Sequence, residues 1–300
     1  MTNGKFVASY RISTERQGRS GLGLDARREA VMRHLSAGGW PAWPSSPRSR
    51  RRVRTRGPEA IGRQIGNQLM SATRVVPADS LRYQADGAQL HRAAADDGVL
   101  QEIVGALAGQ PEEQAGVRLF GVTALRPFLE PTGVMGAIVA SILGPGCRPV
   151  RALLFDKTSS ANWSLGWHQD RVIAVEDRIE VEGFGPWTRK HGALHVAPPF
   201  DLLARMVTLR LHLDDVPVTN APLLVAPGSH RLGRIAEADV PAVVQRCGVV
   251  SCIAAAGDVW LYATPILHAS EATAHASHRR VVQVDYAVGD LPGGLRWLGI

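Results

Sequence analysis

His168 and Asp170 flank a single glutamine in the segment WSLGWHQDRV, residues 163–172. Side chains two apart on an extended segment project to the same face, so an imidazole and a carboxylate at this spacing can share one metal ion. The pair is weak evidence by itself. With 10 His and 15 Asp in 300 residues, chance alone supplies about half a His-x-Asp. A third donor is needed, and the residues downstream offer His195, His212, His230, His268, His275 and His278. His268 ends the run GDVWLYATPILHAS among small neighbours that leave room for a ligand, whereas His275 and His278 lie in a polar loop, and His230, in PGSHRLG, reads as a turn residue.

Two imidazoles and one carboxylate leave coordination positions open, the donor set of non-haem Fe(II) oxygenases, with zinc as the rival metal. A cation placed to hold a dicarboxylate cosubstrate would favour iron. Arg279 stands eleven residues after His268, at the start of RRVVQVDYAV. A guanidinium there can grip a carboxylate through two parallel hydrogen bonds. Its neighbour Arg280 must face the other side of the same strand.

The elements that would position these groups can be read from period and punctuation. Helices are expected over 86–107 (DGAQLHRAAADDGVLQEIVGAL) and 131–144 (PTGVMGAIVASILG). Strands are expected over 150–157, 206–216, 221–228, 257–267 and 279–288, with Asn220, Pro227–Gly228 and Gly257–Asp258 as turn signals. Helices first and strands later indicate an α+β domain on an antiparallel core. Within 206–216, Arg210 and His212 alternate with leucines and face either a pocket or the core, and Lys157, Asn162 and Trp163 precede the His-x-Asp strand at the expected pocket mouth. Residues 177–201, directly after it, read as a long loop that covers the site.

Four stretches carry a family resemblance: NWSLGWHQD, NAPLLVAPGSHRLG, GDVWLYATPILHAS and RRVVQVDYA. Residues 150–300 densely, and 70–150 more loosely, resemble the phytanoyl-CoA dioxygenase family of Fe(II)/2-oxoglutarate oxygenases. The resemblance implies a double-stranded β-helix (jelly-roll, cupin-like) core with flanking N-terminal helices. It implies iron held by His168, Asp170 and His268, 2-oxoglutarate held by Arg279 with help from Ser270, and O2 as oxidant. The implied reaction is hydroxylation of a small or medium organic substrate with release of succinate and CO2. One departure is Asn220-Ala221-Pro222, where the family usually has glycine at the second position.

The front of the chain differs in texture. Residues 1–66 carry 14 Lys and Arg against 4 Asp and Glu, a net of +10, and the other 234 residues carry 20 against 23, a net of −3. Residues 5–39, with Tyr10, Arg11, Ser13, Thr14, Gln17 and SGLGL, resemble the opening of a serine recombinase of the resolvase/invertase family. That resemblance makes Ser13 a nucleophile towards a DNA phosphate. It stops at Trp40, short of the further arginines and dimer-forming helix that such chemistry requires. The segmentation expected is therefore a truncated recombinase-like fragment at 1–39, a basic Pro/Ser/Arg-rich disordered linker at 40–66 and the oxygenase domain at 67–300. Residues 1–66 are expected to contribute nothing to turnover, and no specific nucleic-acid binding is expected despite the arginines of 48–56. The competing readings are a DNA recombinase-related fusion and a zinc-binding or non-catalytic cupin-like module. No run of about 18 apolar residues suggests a membrane span. The three cysteines (147, 247 and 252) form no pairing motif, which suits a reducing cytoplasm.

Overall fold

The computed structural model describes residues 78–300, apart from 112–115, 159–160, 191 and 274–277. The recombinase-like segment, the linker and His275 lie outside the described residues.

Thirteen strands run through the described chain: β1 (Ala88–His91), β2 (Val117–Arg118), β3 (Cys147–Lys157), β4 (Leu165–His168), β5 (Ile173–Val175), β6 (Trp187–Lys190), β7 (Ala193–Val196), β8 (Val207–His212), β9 (Leu223–Val225), β10 (Val250–Cys252), β11 (Val259–Ala263), β12 (His268–Ser270) and β13 (Arg279–Val288). Three helices reach eight residues or more: α1 (Asp97–Ala106), α2 (Val134–Leu143) and α3 (Val240–Cys247). None is long and apolar enough to cross a membrane.

Six strands form an antiparallel sheet in the order β1-β11-β8-β13-β3-β2, and four form a second in the order β10-β9-β12-β4. Strand parity sets the layers. On β8, Val207, Leu209 and Leu211 turn outward and pack with Ile103 of α1 and with Met135 and Val139 of α2. Thr208, Arg210 and His212 point the other way, and all six residues are buried because both faces of the sheet are covered. On the inner face, Trp260 and Tyr262 of β11 pack against Leu223, Val225, Val250 and Cys252 of the smaller sheet. Two antiparallel sheets face to face, with helices outside the larger one, make the expected jelly-roll core.

Three local expectations are corrected. Residues 86–107 are not one helix: Ala88–His91 pair with Tyr262–Val259 as an edge strand. The helix starts only where Asp96 caps it, accepting from Val99 N at 2.9 Å. The small residues that suggest helix here are placed by tertiary pairing instead, and Asp258 secures the turn by accepting from Ala93 N at 2.8 Å. Residues 257–267 are not one strand either. β11 ends at Ala263 in the larger sheet, and β12 begins at His268 in the smaller one. The turn between them contains Pro265, which has no N–H for a ladder. Finally, residues 177–201 are not a simple loop. Ala193–Val196 pairs with Ile173–Val175 on one side and with Trp187–Lys190 on the other to form a third sheet, β5-β7-β6, with a core of Ile173, Val175, Leu194, Val196 and Leu295.

Candidate active site

His168 and His268 are direct partners across the β4–β12 ladder, and their ring centroids lie 4.3 Å apart. Each ring is turned by its own backbone: His168 Nδ1 lies 2.8 Å from Gly166 O, and His268 Nδ1 lies 3.0 Å from Ile266 O. A carbonyl can only accept, so each Nδ1 carries a proton, and in the neutral ring that leaves Nε2 as the nitrogen with a lone pair for a metal. Asp170 completes the group. One donor atom from each of the three lies within 4.8 Å of the other two. Among the described residues, this is the one cluster of three or more His, Cys, Asp or Glu with that spacing.

Gln169, between the two upstream donors, is buried. Its Nε2 donates to Pro265 O at 2.8 Å and to Gly233 O at 3.0 Å, and its Oε1 accepts from Ile235 N at 2.9 Å. The amide thus anchors the end of β4 on the side opposite its neighbours, so His168 and Asp170 face the cavity together. Sequence parity predicts the shared face but not this clamp, whose partners lie more than sixty residues away.

The charges suit a metal. Burial lowers the His268 pKa to about 4 against the opposing pull of Asp170. Burial alone would raise the Asp170 carboxyl, but the nearby His268, Arg151 and His168 outweigh it and hold the group below the usual carboxylate range. Arg151 Nη2 lies 3.8 Å from Asp170 and is itself paired with Asp285 at 2.6 Å. Two imidazoles, each with Nδ1 turned to a backbone carbonyl, and a carboxylate fit a divalent ion and leave positions open beside it.

The other histidines lie elsewhere. His195 is buried on β7 with Nδ1 3.1 Å from Ala193 O, and His212 is buried among β8's inward residues, its pKa lowered to about 3 by burial, Arg210 and Arg279. His230 packs against Gly87, where an added Cβ would fall 2.2 Å from its Nδ1. His278 meets Asp156 at 3.1 Å.

A second group of side chains is cationic. Arg279 is 4% exposed. Its Nη1 donates to Ala221 O and, at 3.3 Å, to Asn220 O, and its Nη2 stands 3.5 Å from Ser270 Oγ. Its Nε has no partner. Lys157 is fully buried, donates to Ser270 Oγ at 3.1 Å and to Glu271 O, and lies 5.1 Å above the Trp163 ring. Arg210 donates to Gln283 Oε1 at 2.8 Å. Burial, then the neighbouring Arg279 and Arg210, push Lys157 down to about 8; burial and Arg210 push Arg279 down to about 10. Arg280 faces away and grips Asp214 at 2.6 and 3.0 Å. Among the described residues, no carboxylate forms an ion pair with Arg279, so this buried guanidinium lacks the anion that would offset its desolvation.

Arg210, Ser270 and Arg279 line the same cavity as His168, Asp170 and His268, with a volume of about 500 Å³. The Asn220–Ala221 turn reaches Arg279 through backbone carbonyls, and Ala221 takes a left-handed φ of 44° in place of the usual glycine.

No curated protein matches the chain. Among solved structures it is similar to the non-heme alpha ketoglutarate dependent epimerase SnoN from nogalamycin biosynthesis, with 19% identity over 71% of this chain and 88% of that one and a TM-score of 0.50. It is also similar to EctD from S. alaskensis in its apoform, with 16% identity over 77% of this chain and 82% of that one and a TM-score of 0.52. Identities this low speak for the fold. The sequence profile of the phytanoyl-CoA dioxygenase (PhyH) family matches residues 73–281. The chain therefore belongs to the phytanoyl-CoA dioxygenase family, and is a 2-oxoglutarate-dependent oxygenase-type enzyme that uses Fe(II), 2-oxoglutarate and O2.

Proposed function

We propose that this protein hydroxylates a small or medium organic substrate, with His168, Asp170 and His268 as the iron ligands and Arg279 and Ser270 as the holders of 2-oxoglutarate. The observation that carries the reading is the buried, acid-free guanidinium of Arg279 lining the same cavity as the three donors. When bound, Fe(II) supplies O2 activation coupled to the oxidation of 2-oxoglutarate to succinate and CO2.

The protein's own groups do the rest. Gln169 and the carbonyls of Gly166 and Ile266 hold the donors in direction before any ion arrives. Arg151 holds Asp170 ionised. Arg279 and Ser270, with Lys157 beside them, receive the distal carboxylate of the cosubstrate in a site where Phe155 and Leu223 restrict water.

The test compares the wild type with Asp170→Ala. Wild-type protein given Fe(II) and 2-oxoglutarate should release succinate. The variant should bind neither Fe(II) nor Mn(II) and release none, with an unchanged far-ultraviolet circular dichroism spectrum. Succinate release that survives this substitution would sink the ligand assignment, and a wild type that never consumes 2-oxoglutarate would sink the reaction.

A further inference from the structure

The cavity holds more positive charge than iron and 2-oxoglutarate require. Its lining includes Arg118, Arg151, Arg171, Lys190, Arg210 and Arg279 but, among the described residues, a single acid, Asp170. Four of these cations have evident occupations. Arg279 and Arg210 face the cosubstrate end, Arg151 is paired with Asp285, and Arg171 donates to Ile235 O at 2.5 Å. Arg118 and Lys190 remain, and no ion pair involves either among the described residues.

Their placement is specific. Arg118 pairs with Leu153 across β2–β3, so both side chains share the cavity face, and Arg151 is its diagonal neighbour there. Arg118 Nε is buried without a hydrogen-bond partner, and burial followed by repulsion from Arg151 lowers the guanidinium pKa. Lys190, exposed at the end of β6, reaches the opening from the third sheet and acts electrostatically on Asp170. Beside this basic edge the lining is apolar: Phe155, two residues along β3 from Leu153, then Trp163 and the half-exposed Leu165.

We propose that the substrate is an amphipathic anion, its carboxylate or phosphate group held by Arg118 and Lys190 at the cavity mouth and its apolar body laid against Phe155, Trp163 and Leu165. The proposal rests on the assignment of the metal triad and Arg279 made above. An anion there satisfies the orphaned Nε and offsets the like-charge pair, whereas a neutral substrate leaves both costs standing.

The test is titration calorimetry on the full chain loaded with Mn(II) and saturating 2-oxoglutarate. The probes share one skeleton: 4-phenylbutyrate, 4-phenylbutyl phosphate and the neutral 4-phenylbutanamide. One of the two anions should bind about tenfold or more tightly than the amide, as expected for a charge-assisted hydrogen bond; which anion does so identifies the head group. Arg118→Gln with Lys190→Gln should bring all three within about twofold while the Kd for 2-oxoglutarate stays put. Lys190→Gln alone, on an exposed side chain that carries no core packing, should lose about threefold on the anion only, on the scale of an exposed charge pair. Equal binding of acid and amide, no binding of any probe, or a preference that survives the double substitution overturns the proposal. Failure to bind 2-oxoglutarate would instead count against the cosubstrate assignment, because the anion preference can be measured without it.

Discussion

Lys157 and Arg279 are direct partners across the β3–β13 ladder, and both side chains reach one hydroxyl, Ser270 Oγ, at 3.1 and 3.5 Å. Two buried cations so placed repel each other and share a neutral oxygen. The arrangement costs free energy that a bound carboxylate would return.

Arg279→Lys keeps the charge and loses the planar fork. It should raise the Kd for 2-oxoglutarate by about ten- to a hundredfold, the scale of a lost charged hydrogen bond. Arg280→Lys is the control on the opposite face of β13. It should leave that Kd unchanged and cost less than about 1 kcal/mol of stability, because its pair with Asp214 is partly solvated. Reversed ranking in a 2-oxoglutarate titration would move the anchor to Arg280.

Lys157 should give the proposed cosubstrate site a pH dependence. Its pKa in the folded protein is about 8, lowered by burial and then by Arg279 and Arg210, with Glu271 opposing. Bound carboxylate favours the protonated amine, so affinity for 2-oxoglutarate should be flat below pH 8 and fall up to about tenfold per unit above it, for one linked proton. Lys157→Met should weaken binding at pH 7 and remove that limb. The free protein shows the converse: the unfolded chain keeps this proton to about pH 10.4, so stability should rise as pH climbs from 8 towards that value. A Kd for the wild type that does not change between pH 7 and 9.5 would exclude Lys157 from the site.

Ala221→Gly should stabilise the protein. A left-handed residue with a Cβ costs about 1–2 kcal/mol, and glycine's extra unfolded freedom returns about half of it. A net gain of about 0.5–1 kcal/mol is expected as a higher urea midpoint at unchanged slope. The carbonyl that accepts from Arg279 remains, so 2-oxoglutarate affinity should not move.

Gly136→Ala should do the opposite of what helix propensity suggests. Alanine inside a helix is ordinarily worth about 1 kcal/mol over glycine. On α2, however, the added Cβ would fall 1.9 Å from Glu130 O. Backbone cannot yield as a side-chain tip can, so a loss of about 1–3 kcal/mol is expected, read from the same denaturation curve.

Much of the site was legible because its signals are local. Same-face projection of His168 and Asp170 follows from a period of two, and so does the opposition of Arg279 and Arg280. The strand 279–288 and the core of the helix 131–144 show in runs of like residues bounded by turn formers. His268 stood out among six histidines by its small neighbours Ala269 and Ser270, although it opens β12 and does not end the strand read over 257–267.

What the amino-acid order determined by itself was therefore the fold class and the shared faces on which the proposed donors and anchor stand, because each depends on spacing within one element or on a motif. The tertiary structure alone decided which distant segments meet. It split residues 86–107 into strand and helix, because an edge of β11 was available to pair with Ala88–His91. It carried the chain from one sheet to the other between Ala263 and His268. It set Gln169 against Pro265 and Gly233, Lys157 beside Arg279, and Lys190 at a cavity built by other sheets. Such contacts join residues up to a hundred and more positions apart, where no periodicity connects them, and only burial of a common core brings them into reach.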